Sequence, residues 1–276
     1  MHPYVNNALR AARTASGHLL RAMDRLDTLE VSQKAVNDFV SNVDREAEEI
    51  IADALHQAYP DHGVRGEERG QIYPEGEYNW VIDPLDGTLN YIQGIPHFCI
   101  SIAALKGRRV EHAIIVDPTR NEEFTASRGA GAALNGRRLR VAQRRRIDES
   151  VLATGIPPHA IRRHHPAYSA LLNELREEAR GMRRMGSAAL DLAYVAAGRV
   201  DGFFELGLSL WDIAAGVLLV QEAGGFSGDF GGGDQHLASG NIIAANDKLF
   251  RALVARARPH LTAELRAEHR RTTAPG

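Results

Sequence analysis

The chain has 276 residues, 44% of them apolar and 25% charged, with a formal net charge of −2. That length supports one large core or two fused lobes without covalent staples, and the near-neutral charge argues against a dedicated nucleic-acid binder. A single cysteine, Cys99, rules out an intrachain disulfide or thiolate metal cluster, and no run approaches the ~20 apolar residues that span a bilayer.

Residues 4–27 place Val5, Leu9, Ala12, Leu19, Leu20, Met23 and Leu26 roughly on one face of a helix. A polar segment, Ser32–Ser41, separates it from a second helix over 43–58, whose inward face is Val43, Ala47, Ile50, Ile51, Ala54 and Leu55 and which Pro60 ends. A loop follows, with Glu67 in Gly66-Glu67-Glu68-Arg69-Gly70. Residues 79–127 read as a meander, with strands at Trp80–Ile82, Phe98–Leu105, Val110–Val116 and Glu122–Ala126. Cys99 lies within the second of these and reads as a small buried hydrophobe.

Beyond residue 147 strands and helices alternate. Strands are predicted at Val151–Thr154, Val200–Phe204 and Asn241–Ala244. Helices are predicted over 166–179, 186–197, 212–223 (opening at Asp212) and 247–257. The expected fold class is α/β in layers, a single unit spanning 1–276 with lobes of about 1–147 and 148–265. The N-terminus shows no basic segment followed by an apolar one, so a cytoplasmic protein without membrane contact is expected.

The stretch Trp80-Val81-Ile82-Asp83-Pro84-Leu85-Asp86-Gly87-Thr88 carries the chemistry. An apolar strand runs into two aspartates, and two carboxylates about 4 Å apart repel by roughly 4 kcal/mol at an effective dielectric near 20. A divalent cation between them would offset that cost. Pro84 turns the chain so that both side chains can face one ion, the Leu85 carbonyl offers a neutral hard ligand, and Gly87 permits close backbone approach. Read alone, Glu67 is a solvated loop residue and Asp212 a plain helix cap.

Taken together, these segments resemble the inositol monophosphatase family of metal-dependent, lithium-sensitive sugar phosphatases. The resemblance rests on Asp83-Pro84-Leu85-Asp86-Gly87-Thr88, on the strand Phe98-Cys99-Ile100-Ser101-Ile102, on the Gly-Glu-Glu loop, and on Trp211-Asp212-Ile213-Ala214-Ala215-Gly216 with Glu222-Ala223-Gly224-Gly225. It runs from about residue 4 to 260. The stretch Gly186–Glu205 looks like the bacterial SuhB-type members in particular.

The resemblance implies a fold of alternating helix and sheet layers, αβαβα. It implies that Glu67, Asp83 and the Leu85 carbonyl hold one Mg²⁺, and that Asp83, Asp86 and Asp212 hold a second. A third, looser ion would bind Glu67 through waters. Thr88 and Asp44, with Glu67, look like the catalytic set around the attacking water. The Gly87 and Thr88 N–H groups would bind phosphate, while Glu205 with the Gly186-Ser187-Ala188 backbone would hold the sugar hydroxyls. Four carboxylates and a phosphate need two or three Mg²⁺ to approach neutrality, which agrees with that count. The implied substrate is myo-inositol monophosphate or a similar polyol phosphomonoester. The same fold also serves fructose 1,6-bisphosphate, 3′-phosphonucleotides and histidinol phosphate. A homodimer is usual among such proteins.

Other features have plainer readings. Ser127-Arg128-Gly129-Ala130-Gly131-Ala132 lacks the following helix of a dinucleotide loop, Gly231-Gly232-Gly233 reads as a surface loop, and His164-His165 as a solvated loop before Pro166. The basic run Arg137, Arg138, Arg140, Arg144, Arg145 and Arg146 is a solvated edge or a contact with RNA or the transcription machinery, a role the SuhB-type resemblance also implies.

Overall fold

The computed structural model describes residues 1–26, 31–35, 38–155, 158–263 and 265. Helix α1 (Pro3–Met23) starts with proline at its first position, where the missing N–H is no loss, and His2 Nδ1 accepts the Tyr4 N–H. It is followed by the hairpin β1 (Val31–Ala35) and β2 (Asp38–Ser41), then by α2 (Asn42–Ala58). The main sheet is built from β3 (Gly63–Gly66), β4 (Gly70–Tyr73), β5 (Tyr78–Asp86), β6 (Cys99–Lys106), β7 (Arg109–Asp117), β8 (Glu122–Ser127), β9 (Gly131–Leu134) and β10 (Arg137–Arg138). A five-residue helix, α3 (Thr88–Ile92), follows β5.

The second half contains β11 (Val151–Thr154), α4 (Pro158–Glu178), β12 (Gly181–Arg183), α5 (Ala188–Ala196) and β13 (Gly202–Glu205). It continues with α6 (Leu210–Glu222), β14 (Phe226–Gly228), α7 (His236–Ser239), β15 (Ile242–Ala245) and α8 (Asp247–Ala257). The large sheet runs β10-β9-β8-β7-β6-β5-β3-β4, antiparallel except for β3 beside β5; the second runs β12-β11-β13-β15-β14.

Alternation along the strands sorts the core into layers. Trp80, Ile82, Ile100, Ile102, Ile114 and Val116 face α1 and α2. Their neighbours Val81, Cys99, Ala103, Ala113 and Ile115 face α5 and α6. The same helices cover Ala153, Phe203, Ile242 and Ala244 of the second sheet, whose other face packs Leu152, Phe204 and Ile243 against α4 and α8. The order is therefore helix, sheet, helix, sheet, helix, as the α/β layered reading expected.

Four local expectations change. The strand at Trp80 does not stop at Asp83; β5 continues through Pro84 to Asp86. His164 and His165 lie in α4, not a loop, because the helix begins at Pro158 and carries Pro166 inside it. Asp212 does not open α6; Ser209 caps it and Asp212 sits at the third helical position in a reciprocal capping box. The polar segment before α2 is a hairpin. Among the described residues no helix is long and apolar enough to cross a membrane.

Candidate active site

The site is organised by an irregularity in β5. Asp83 pairs with Ser101 and Asp86 with Cys99, so the register slips by one residue between them. Pro84 falls in that bulge, where its missing N–H costs no ladder bond. Asp83 is buried, and its Oδ1 accepts the Leu85 N–H at 3.0 Å. Its ionisation is strongly opposed, first by burial and then by the charges of Glu67, Asp86 and Asp212. Glu67 and Asp212, distant in sequence, thus join the neighbouring Asp86 in acting on one carboxylate.

Each partner is held by a separate device. Glu67 occupies the β3–β4 turn, and its N–H donates to the Ile82 carbonyl at 3.1 Å, next to Asp83. Asp86 Oδ2 accepts the Ser187 hydroxyl at 2.6 Å and the Ala189 N–H at 2.7 Å, both at the start of α5; burial still pushes its pKa up to about 6. Asp212 Oδ2 accepts the Ser209 N–H at 2.7 Å. The Ser101 hydroxyl, across from Asp83 on β6, donates to the Trp211 carbonyl at 3.2 Å and pins the start of α6 beside β5.

Gly87 leads into α3 with φ +97°, a conformation that glycine adopts without strain. The Thr88 hydroxyl lies 3.0 Å from the Leu85 carbonyl and 3.2 Å from Asp44 Oδ1, both acceptors. Asp44, buried in the first turn of α2, also accepts the Ser41 N–H and hydroxyl. Burial raises its pKa against those hydrogen bonds.

Glu205 ends β13, buried, and its carboxyl is held well above the ordinary range, first by burial, then by Asp191, Asp212 and Asp86. It belongs to the same acidic neighbourhood. A Cβ on Gly155 would fall 2.2 Å from Glu205 Oε1, so the absent side chain there makes room for the carboxylate. Asn90 Nδ2 donates at 2.8 Å to both the His97 and Met185 carbonyls and ties the Gly186 loop to α3.

The predicted residues are thus linked in pairs: Glu67, Asp86 and Asp212 act on Asp83, Thr88 meets Asp44, Ser187 meets Asp86, and Glu205 feels Asp212 and Asp86. The Ser187 hydroxyl is engaged by Asp86, which leaves its backbone as the part assigned to substrate. Ser101, Gly155 and Asp191 had no assigned role in the sequence. Asp191 is buried in the first turn of α5 with Oδ1 lacking a hydrogen-bond partner, and burial followed by Asp86 raises its pKa well above normal. An acidic residue in the Ala-rich run 188–196 was the available signal.

The donor set is all hard oxygen, with Asp83 buried and Glu67, Asp86 and Asp212 half-buried, which suits a divalent cation such as Mg²⁺. Among the described residues no three His, Cys, Asp or Glu side chains are gathered as a ready-made metal cage. Asp83, Asp86 and Asp212 each turn one oxygen to a protein donor.

The plainer readings elsewhere also have structural accounts. Gly129 and Gly131 lie in the β8–β9 turn, where their N–H groups donate to Glu222 at 2.8 and 2.7 Å. The glycines at 231 and 233 donate to Asp229 Oδ1. Cys99 is buried, 3.9 Å from Asp86 Oδ2.

The family model described as "Inositol monophosphatase family" matches residues 1–263. The chain belongs to the inositol monophosphatase family. The Nus factor SuhB of Pseudomonas aeruginosa is 52% identical over 270 residues, covering 96% of this chain and 100% of that protein. The extragenic suppressor protein SuhB from Bartonella henselae has a solved structure that superposes with a TM-score of 0.89 at 42% identity, covering 93% of this chain and 98% of the other. The Thermotoga maritima IMPase superposes with a TM-score of 0.85 at 32% identity, covering 94% and 98%. As a member of the inositol monophosphatase family the chain is placed among phosphatases, and its layered fold is the one its relatives share.

Proposed function

We propose that this protein is a Mg²⁺-dependent phosphomonoesterase that hydrolyses myo-inositol monophosphate and similar polyol phosphates. The observation that carries the reading is the buried Asp83 at the β5 bulge, whose ionisation is opposed by burial and by the charges of Glu67, Asp86 and Asp212. In this reading Glu67, Asp83 and the Leu85 carbonyl would hold one Mg²⁺, and Asp83, Asp86 and Asp212 a second; a third would be held loosely through Glu67. When bound, these ions supply charge neutralisation and an acidified water.

The chain's own groups do the rest. Asp44, facing the Thr88 hydroxyl, draws the proton of the attacking water through that hydroxyl, while Glu67 orients the water from the other side. The Gly87 and Thr88 N–H groups bind phosphoryl oxygens, where hydrogen bonds to developing charge lower the barrier. Glu205 and the Gly186-Ser187-Ala188 backbone hold the polyol hydroxyls. The Ser187 side chain holds Asp86 in place instead of touching substrate. The halves at about 1–147 and 148–265 act as lobes of one catalytic unit, since Asp212 and Glu205 come from the second and the Asp83 bulge from the first.

The test is release of inorganic phosphate across a panel of phosphomonoesters, with Mg²⁺, without it, and with Li⁺ added. Mg²⁺-dependent, Li⁺-inhibited turnover fastest on inositol monophosphate supports the reading. Turnover indifferent to Mg²⁺, or absent on every polyol phosphate, refutes it. Faster turnover of fructose 1,6-bisphosphate, a 3′-phosphonucleotide or histidinol phosphate would keep the mechanism and change the substrate.

A second reading, contact with RNA or the transcription machinery, has its own observation. Arg137 and Arg138 form the exposed edge strand β10, and Arg140 and Arg145 are also exposed. Arg144 and Arg146 instead pair with Asp201 and Asp148. Charge reversal at Arg137, Arg138, Arg140 and Arg145 would abolish such a contact and spare hydrolysis. We also infer a cytoplasmic homodimer, which sedimentation of the purified protein would test.

A further inference from the structure

Helix α2 carries a second acidic group that the reaction above does not use. Glu48 lies one turn after Asp44, and its side chain is 0% exposed. A carboxylate taken wholly out of water costs several kcal/mol unless charge or hydrogen bonds compensate. Its partners are specific. Glu48 Oε2 accepts the Glu68 N–H at 2.8 Å, and Oε1 accepts Arg69 Nε at 3.2 Å. The carboxylate lies directly against the Gly66 backbone, since a Cβ there would sit 2.0 Å from Oε2. Glu48 thus contacts the residues on both sides of Glu67.

We propose that Glu48 is a positioning residue: it fixes the β3–β4 turn so that Glu67 is presented to the metal site at a set distance from the Thr88–Asp44 pair. The geometry that carries this is the spacing on α2. Asp44 and Glu48 stand four residues apart on one face. The first faces Thr88 Oγ1 at 3.2 Å and the second holds the Glu67 turn. One helix turn therefore sets the separation between the two flanks of the site. A further backbone anchor of the β3–β4 turn is the Glu67 N–H to the Ile82 carbonyl. A hydrogen bond to a charged acceptor is stronger than a neutral one, which suits a short turn that must hold a ligand against the repulsion of Asp83 and Asp86. The inference rests on the metal-dependent reading above.

The test uses the full chain and Glu48→Gln, which keeps an acceptor for Glu68 and removes the charge that holds Arg69. Arg69→Gln, altering the partly exposed partner, serves if the first variant does not fold. Three readouts are taken: amide hydrogen exchange of the 66–70 segment without metal, the rise in Tm on adding Mg²⁺, and the Mg²⁺ dependence of phosphate release. The expected result is at least tenfold faster exchange at 66–70. The Mg²⁺ concentration for half-maximal effect should also rise at least tenfold, with KM for the phosphomonoester at saturating Mg²⁺ changed less than threefold. Faster exchange with an unchanged Mg²⁺ requirement would overturn the positioning role, as would unchanged exchange. A wild-type protein whose Tm and turnover ignore Mg²⁺ would overturn the metal-dependent reading itself and this inference with it; the wild-type control separates the two failures.

Discussion

Replacing Asp83 by Asn should abolish turnover and, in the absence of metal, make the protein more stable. Asn keeps an Oδ1 acceptor for the Leu85 N–H, so the local hydrogen bond at 3.0 Å survives. What it removes is a charge opposed by burial and by Glu67, Asp86 and Asp212. One carboxylate pair about 5 Å apart costs about 3 kcal/mol at an effective dielectric of 20, so relief of roughly 2–4 kcal/mol is reasonable for the metal-free protein. For a chain of this size that is a rise in Tm of about 3–7 °C. The pH dependence fixes the sign. The folded pKa of Asp83 lies above its unfolded value, so wild-type stability is fully present below about pH 4 and falls as pH rises toward the folded pKa. The advantage of Asn should therefore vanish near pH 4 and be complete at the pH where Asp83 is ionised. Mg²⁺ reverses the order, raising the wild-type Tm and leaving the variant unmoved, while turnover falls at least 10³-fold, about 4 kcal/mol of barrier. Calorimetry in chelator and in excess Mg²⁺, from pH 4 to 8, reads every part. A metal-free variant less stable than wild type at pH 7.5, or one still stabilised by Mg²⁺, would refute the reasoning.

Three further perturbations reach other parts of the site and fold. Ser187→Ala removes the 2.6 Å hydrogen bond to Asp86, a contact to a charged group worth about 1.5–3 kcal/mol; the Mg²⁺ requirement in the phosphate-release assay should rise about 10- to 100-fold. Gly155→Ala sets a methyl 2.2 Å from Glu205 Oε1 and should raise KM for inositol monophosphate at least tenfold with a smaller effect on kcat, as steady-state kinetics at saturating Mg²⁺ would show. His112 stacks on His2 at 4.1 Å and meets the Ser127 hydroxyl at 2.9 Å; burial, with a smaller push from His2, lowers its pKa to about 4. The unfolded chain takes up that proton below about pH 6.5, so stability is full above that pH and declines toward pH 4. After discounting for solvent screening the loss is about 1–2 kcal/mol, and His112→Gln should flatten that part of a urea-denaturation pH profile.

Much of the layered core was legible because it follows simple periods. The apolar positions of α1 and α2 repeat at helical spacing, and β5 to β7 alternate between the faces covered by α1–α2 and α5–α6. What escaped was short or depended on context. β10 is only two residues long, below the length at which alternation can be counted, and β3, β4 and β9 each open on a glycine, which reads as a turn signal. Pro166 invites reading a helix start, but Pro158 takes the first position and the helix runs on through the second proline. Asp212 looked like a cap because the pattern Ser-x-x-Asp puts cap and partner three residues apart; the same pattern, Ser41 with Asp44, opens α2.

The carboxylates of the candidate site stood out because Asp-Pro-Leu-Asp after an apolar strand is costly without a counter-charge. Their supports did not stand out. Ser101 is an ordinary strand residue until α6 arrives with the Trp211 carbonyl, and Glu48 is an ordinary helix glutamate until the Glu67 turn closes over it. Two acids one turn apart, followed on the inward face by Ile51 and Leu55, were the only hint that Glu48 points inward.

The most direct measurement is diffraction from crystals equilibrated with Mn²⁺, recorded at the manganese edge. The proposal requires anomalous peaks at coordination distance from Asp83, one shared with Glu67 and the Leu85 carbonyl and another with Asp86 and Asp212, all lost in Asp83→Asn. Anomalous density elsewhere on the chain with none at Asp83, or peaks that persist in Asp83→Asn, would contradict it.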